Sequence, residues 1–475
     1  MTRAVVVGSG PNGLAAAITL AAAGVDVEVL ERADVPGGGT RSVHATVDGV
    51  LHDECSGFHP LAVETGFSRQ FDLTEVEGLR WLWPSVQYSH PLDGGRGAAV
   101  WQDLDRTVAD LGSAGRAYRR LFGPLTEQFG KIADEFLQPM THIPRAPIAL
   151  ARFGAYSLLP AGLLARRWGQ DEAARALFAG VAAHAFRPLG SPMSSAIGVA
   201  LGTAAHRFGW PVAHGGSGAI SRAMVARLES LGGRVHTGVT VSNREQLADA
   251  DIVMLDTSPS AAVDILGEAL PRRVARAYRR FRHGPGAFQV ALAVDGGIPW
   301  THEPSREAGT IHLGGTFEQI AAAERDVALG RMPERPFVLL GQQSVADPER
   351  RAGTIHPVDA YAHVPAGFTG DATEAIIGQI ERFAPGVRDR IVAMSVRSTE
   401  SIVRDNPNYV GGDIVSGANT PRQLIFRPRV GLNPYVTGVP GTYLCSAATA
   451  PGAGAHGMCG WHAARTALRK AGIGP

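Results

Sequence analysis

The first forty-two residues restrict this chain more than any other stretch. They read as an apolar strand over 4–7, a turn carrying Gly8, Gly10 and Gly13, an alanine-rich helix over 14–23, a second strand over 25–30, and then an acid, Glu31. That order is the dinucleotide-binding βαβ unit. The first glycine allows the tight turn, the second lets a pyrophosphate approach the backbone at the helix N-terminus, and the third lets helix and strand pack closely. Pro11 and Asn12 lie inside the same turn, and Glu31 stands where a carboxylate accepts hydrogen bonds from a ribose.

A second glycine cluster follows the acid. Arg32 is succeeded by Gly37, Gly38, Gly39, Thr40 and Arg41. Consecutive N–H groups without Cβ atoms form an anion-binding nest, and Arg41 adds positive charge. On these residues the chain resembles the flavoprotein superfamily of amine oxidases and phytoene desaturases. The resemblance implies a non-covalent FAD, with Gly38, Gly39, Thr40 and Arg41 at its pyrophosphate and flavin side.

Two further segments carry the resemblance. At 442–475 a strand, a turn with Pro451, Gly452, Gly454 and Gly457, and a final helix match the ending of phytoene desaturases, whose helix N-terminus faces the flavin. Many FAD enzymes place an acid after this strand. Here Ser446 and Ala447 stand there, so backbone N–H groups, with Gly457 and Met458 at the helix start, are the expected contacts. Mid-chain, Gly215, Gly216, Ser217 and Gly218 precede a helix over 219–231 and a strand expected to end near Val241, whose counterpart in the family reaches the adenine.

These pieces predict an α/β chain. A discontinuous Rossmann-like FAD-binding domain takes 1–70, 205–285 and 425–475. A substrate domain of α+β type with a mixed sheet takes 71–204 and 286–424. The chain has 475 residues, 45% of them hydrophobic, enough for a large core in two domains. A net charge of +1 without long basic runs predicts no nucleic-acid partner. Three cysteines without CxxC spacing point to a reducing compartment, and the cytoplasm is the expected location. Residues 156–167 are apolar with a basic end, the pattern of a buried substrate-domain helix or of a segment that touches a membrane. Nothing in the sequence fixes the oligomeric state.

No metal site is expected. His456, Cys459 and His462 fall at three-residue steps, but on a helix the first and last point about 240° apart. His52, Cys55 and His59 lie in the segment that runs beside the flavin in desaturase relatives, which makes His52 and Asp53 the expected catalytic pair, with Cys55 and Ser56 as further contacts. His312, Tyr361 and His363 interrupt strand-like segments, where a buried polar group needs a partner or a pocket. The only lysines are Lys131 and Lys470, neither near a flavin motif, so the lysine of many amine oxidases has no counterpart. The resemblance implies an FAD-dependent oxidoreductase moving hydride between flavin and a carbon of a hydrophobic, isoprenoid or polyene, substrate. A redox-neutral double-bond isomerase and a non-catalytic FAD-containing interaction protein are the alternatives.

Overall fold

The computed structural model describes residues 2–74 and 78–474. Five parallel strands form one sheet in the order Thr442–Leu444, Ile252–Leu255, Arg3–Val7, Asp26–Leu30, Arg234–His236. Their alternation sorts two cores. Ala4, Val6, Val27, Val29 and Met254 face the helices Pro11–Ala22, Gly218–Ser230 and Met458–Ala471, whereas Val5, Val7, Leu255 and Leu444 face Pro259–Leu266 and Arg272–Arg279. The protein is therefore an α/β chain with a Rossmann-like domain.

The first helix begins at Pro11, three residues before the apolar run predicts, because proline at the first helical position gives up an N–H that has no intrahelical partner. Gly460 marks the crossing of the last helix over the first: a Cβ there would lie 1.7 Å from the Asn12 carbonyl. The strand expected to reach Val241 stops at His236. Gly238, at φ 70, turns the chain, and Val241 packs instead with Val5, Val7 and Leu247 under the sheet.

A second, mixed sheet has seven strands in the order Ile391–Arg397, Gly286–Asp295, Ile355–Val364, Val338–Gly341, Ala308–Leu313, Val86–Pro91, Gly97–Trp101. Only Ala308–Leu313 and Val86–Pro91 pair in parallel. On one face Val290, Leu292, Val358, Ala360 and Ala362 pack on the helix Thr373–Phe383. Period-two alternation puts Asp359, Tyr361 and His363 on the other face. Register aligns Arg397, Gln289, Tyr361, Leu339 and His312 in one row across that face. The helix Glu172–Ala183 covers it closely, with Gly180 against the His312 ring.

Candidate cofactor cradle and imidazole cluster

Gly8 turns at φ 98, and the glycine loop wraps the tip of the neighbouring strand. A Cβ at Gly13 would lie 2.2 Å from the Gly8 carbonyl, and one at Gly38 would lie 3.0 Å from the Gly10 Cα, so the two glycine clusters touch. Gly37 N–H donates to the Ser9 carbonyl and Thr40 Oγ1 to the Gly37 carbonyl, which fixes the second cluster over the first. Glu31 accepts from Ser9 N–H and Ser9 Oγ at 2.8 and 2.6 Å and from Ala33 N–H at 2.8 Å. Its carboxylate is thus locked at the strand tip.

An unexpected acid enters this cradle. Asp256 follows the strand Ile252–Leu255, and its Oδ2 accepts from Gly13 N–H at 3.0 Å. A carboxylate oxygen at the N-terminus of the first helix shows that this terminus receives an oxyanion, which is phosphate chemistry. Asn12 Oδ1 is buried and unpartnered beside it. These features fit a dinucleotide, with one condition. Burial lifts the Asp256 carboxyl to about 7, opposed by the Gly13 N–H and assisted by Glu31. A proton on Asp256 removes one negative charge from the place where a pyrophosphate would lie.

A carboxyl raised from about 3.8 to about 7 keeps its proton longer in the folded state, so stability falls as pH rises between those values, by on the order of 4 kcal/mol in full. Asp256→Asn keeps an acceptor for Gly13 N–H without the charge. We expect it to raise the melting temperature most at pH 8 and by a smaller amount at pH 5, where roughly a third of that loss has been incurred. FAD affinity measured by fluorescence quenching should weaken above pH 7 in the wild type and stay flat in the variant.

The other expected contacts take varied positions. Arg32 donates to the Arg404 carbonyl at 2.5 Å on the surface. Arg41 pairs with Glu54 at 2.8 Å, so its charge is already neutralised. Ser446 Oγ accepts from Ala448 N–H and its carbonyl from Thr449 N–H, while Ala447 lies beside them in the same turn. Gly457 caps the last helix at φ 68, and Met458 N–H donates to His456 Nδ1 at 3.1 Å.

The sequence expectation for His52 and Asp53 meets a different arrangement. His52 is 1% exposed, with Nδ1 2.6 Å from Asp359 and Nε2 2.8 Å from Thr46 Oγ1, so neither ring nitrogen is free. Asp53 accepts from Arg350 Nη1 at 2.6 Å, Ser217 N–H at 2.8 Å and Ser42 Oγ at 2.7 Å. Burial would raise its carboxyl, but Arg350 and these donors hold it below the ordinary range. Both side chains tie the 51–60 segment to the second sheet, and neither offers a free polar atom to a substrate.

A packed cluster of aromatic and imidazole rings lies one step further along that segment. Cys55 hydrogen-bonds the Tyr409 hydroxyl, which stands 2.3 Å from where a Cβ of Gly39 would be. Arg397 donates to the Glu54 carbonyl and to Gln289, bringing the sheet row under this loop. Tyr361, next in the row, lies within electrostatic reach of Cys55 and stacks 5.9 Å from His363. Phe186 stacks 3.8 Å from the His363 ring, and His184 Nε2 lies 2.8 Å from His312 Nε2. His363 Nδ1 is 2.7 Å from Glu324 Oε1, while its Nε2 has no partner. Burial lowers His184 to about 3, aided by His363, and carries His312 well below its usual value, so both rings are neutral. The three interrupting residues of the sequence, His312, Tyr361 and His363, are thus brought together with Phe186, His184 and Glu324, which no local pattern marks.

Comparisons with known proteins agree with the fold. Residues 6–63 match the family model described as an NAD(P)-binding Rossmann-like domain. A curated relative, pyridine nucleotide-disulfide oxidoreductase domain-containing protein 2 of Rattus norvegicus, is 26% identical over 232 residues, which are 46% of this chain and 36% of that protein. The match therefore spans about a third of the relative's length. Among solved structures, an oxidoreductase from Methanosarcina mazei superposes with a TM-score of 0.61 at 14% identity, covering 98% of this chain and 100% of that one. A putrescine oxidase solved with putrescine gives 0.60 at 16% identity, with 99% of each chain covered. Cyclohexylamine oxidase from Brevibacterium oxydans gives 0.56 at 14%, again with 99% of each covered.

Proposed function

We propose that this protein is an FAD-dependent oxidoreductase of the phytoene desaturase-like kind, moving hydride between flavin and a carbon of a hydrophobic, isoprenoid or polyene, substrate. The observation that carries this reading is the continuity from the glycine cradle through Gly39, Tyr409 and Cys55 to a buried cluster of Tyr361, Phe186, His363 and the neutral imidazoles of His184 and His312. When bound, FAD supplies the two-electron acceptor. The chain's residues do the rest. Tyr361 and Phe186 offer π faces to an unsaturated chain. We assign His363 Nε2, buried and without a partner, the proton released beside the reacting carbon; Glu324 holds the opposite nitrogen and so fixes the tautomer. Lys131 and Lys470 are both exposed on helices, away from the buried ring cluster.

The test starts from the purified protein. Acid precipitation should release the yellow colour into the supernatant, as non-covalent FAD requires. Anaerobic mixing with geranylgeraniol, retinol or phytoene should then bleach the flavin lastingly with at least one of them. His363→Gln should keep its FAD and slow that bleaching by about a hundredfold, the scale of losing a general base. Product without net bleaching would instead establish the isomerase. Rapid peroxide release with putrescine and none of the isoprenoid reactions would overturn the proposal.

A further inference from the structure

Fourteen large apolar side chains are exposed among the described residues, and eight of them fall in two short segments, 140–163 and 425–432. The most exposed are Ile143 at 91%, Leu432 at 85% and Ile148 at 78%. The segments are neighbours in space: Thr141 Oγ1 donates to the Leu432 carbonyl at 3.1 Å, and Pro139 and Thr141 share a small cleft with Ile425 and Phe426. Such clustering exceeds what scattered surface residues produce.

Charge on the same segments is one-sided. Residues 136–170 contain no Asp or Glu and four arginines, Arg145, Arg152, Arg166 and Arg167. Residues 414–475 also contain no acid, against five arginines and Lys470. The nearest acids before the first stretch are engaged: Asp134 pairs with Arg69, and buried Glu135 accepts from the N–H groups of Arg145 and Ala146 and contacts His142. Arg465 feels both Arg469 and Arg145, so the last helix adds to the same positive field.

The helices of this region lie along the surface. No single helix among the described residues is long and apolar enough to cross a membrane, and the pair Pro147–Ser157 and Ala161–Trp168 is bent by 94°. Its inner side chains, Phe153, Leu164 and Trp168, are buried in the protein, while Ile148, Leu158 and Leu163 point outward. Arg152 follows Ile148 by four residues and shares its side of the helix.

We propose that the face built by residues 140–163 and 425–432 docks this protein on an anionic phospholipid surface, its apolar side chains in the headgroup boundary and its arginines on lipid phosphates. The acid-free composition selects an anionic layer over a second copy of this chain, because two such faces would repel each other. A hydrophobic substrate dissolved in that layer would be delivered from the same surface, a consequence that rests on the proposed function, whereas the docking itself does not.

Co-sedimentation of the full chain with vesicles tests it. Binding to phosphatidylcholine vesicles containing phosphatidylglycerol is expected, weakening as salt rises. Ile143→Ser with Leu432→Ser should reduce binding at least tenfold, and Arg145→Gln with Arg152→Gln by about fivefold per arginine. Both pairs are exposed, so unchanged melting temperatures and cofactor content will show that folding is intact. Absence of binding to the anionic vesicles, binding undiminished in the apolar pair, or a dimer in sedimentation velocity that the same apolar pair dissociates would each overturn the proposal. None of these readouts depends on turnover, so failure here leaves the oxidoreductase reading standing, and the reverse also holds.

Discussion

Replacing Gly10 by valine is expected to yield a folded protein that purifies without FAD. Gly10 sits at φ −63 and ψ 167, a conformation open to any residue, so backbone strain is not the cause. Contact is. A Cβ at this position would lie 2.6 Å from Asp256 Oδ2, in the space between the glycine loop and the strand tip where a pyrophosphate must approach. Relief by moving Asp256 costs its bond with Gly13 N–H, and we expect a stability loss of about 1–3 kcal/mol from overpacking. Cofactor content by absorbance, with far-ultraviolet dichroism as the folding control, checks both parts. FAD retained at wild-type stoichiometry would show that the cradle binds elsewhere.

Arg350→Met is expected to have the largest effect on stability. Arg350 is 1% exposed and sits between the Asp53 and Asp347 carboxylates at 2.6 and 3.2 Å, with a third bond to the Ala213 carbonyl at 2.8 Å. Methionine has similar volume but leaves two buried carboxylates without a cation, a loss of about 3–5 kcal/mol by the usual scale. The pH dependence should change sign. In the wild type the Asp53 carboxyl is held down, so its stabilisation is present above the unfolded value near 3.8 and is lost as pH falls through the folded one. In the variant burial is opposed by the Ser42 and Ser217 donors but no longer by Arg350, the carboxyl rises, and stability should improve as pH falls from 8 toward 5. Denaturant melts at several pH values will read this directly. A variant with the wild-type pH slope would remove Arg350 from the account. The same geometry makes Asp53→Asn a stability variant, with unfolding preceding any change in flavin reduction.

How much of this was legible in the sequence depends on range. The strand, glycine turn, helix, strand and acid of residues 3–31 follow from local rules, since each glycine answers to a turn or a close approach within the same unit. The last strand and helix are equally local. Val241 shows where this stops: nothing in the segment announced that Gly238 would end the strand and turn Val241 under the sheet. Sequence marks the segment of His52 and Asp53, but the partners of these residues are Asp359 and Arg350, about three hundred residues away. Side-chain role is set by such partners, and sequence distance carries no trace of them.

The sequence by itself determined the class of fold, because periodicity and glycine spacing act through neighbouring residues. Only the tertiary structure decided which polar groups are used up and which are left free. Asp256 enters the cradle because parallel pairing carries the strand Ile252–Leu255 beside Arg3–Val7. His312 and Tyr361 share a row because Val338–Gly341 lies between their strands. His363 keeps a buried, unpartnered Nε2 while Glu324, from a separate helix, takes the other nitrogen. The apolar segments at 140–163 and 425–432 become one face only because the Thr141–Leu432 hydrogen bond joins them. Hydrogen bonds and burial are short-range in space and indifferent to position along the chain, so the site was settled by folding.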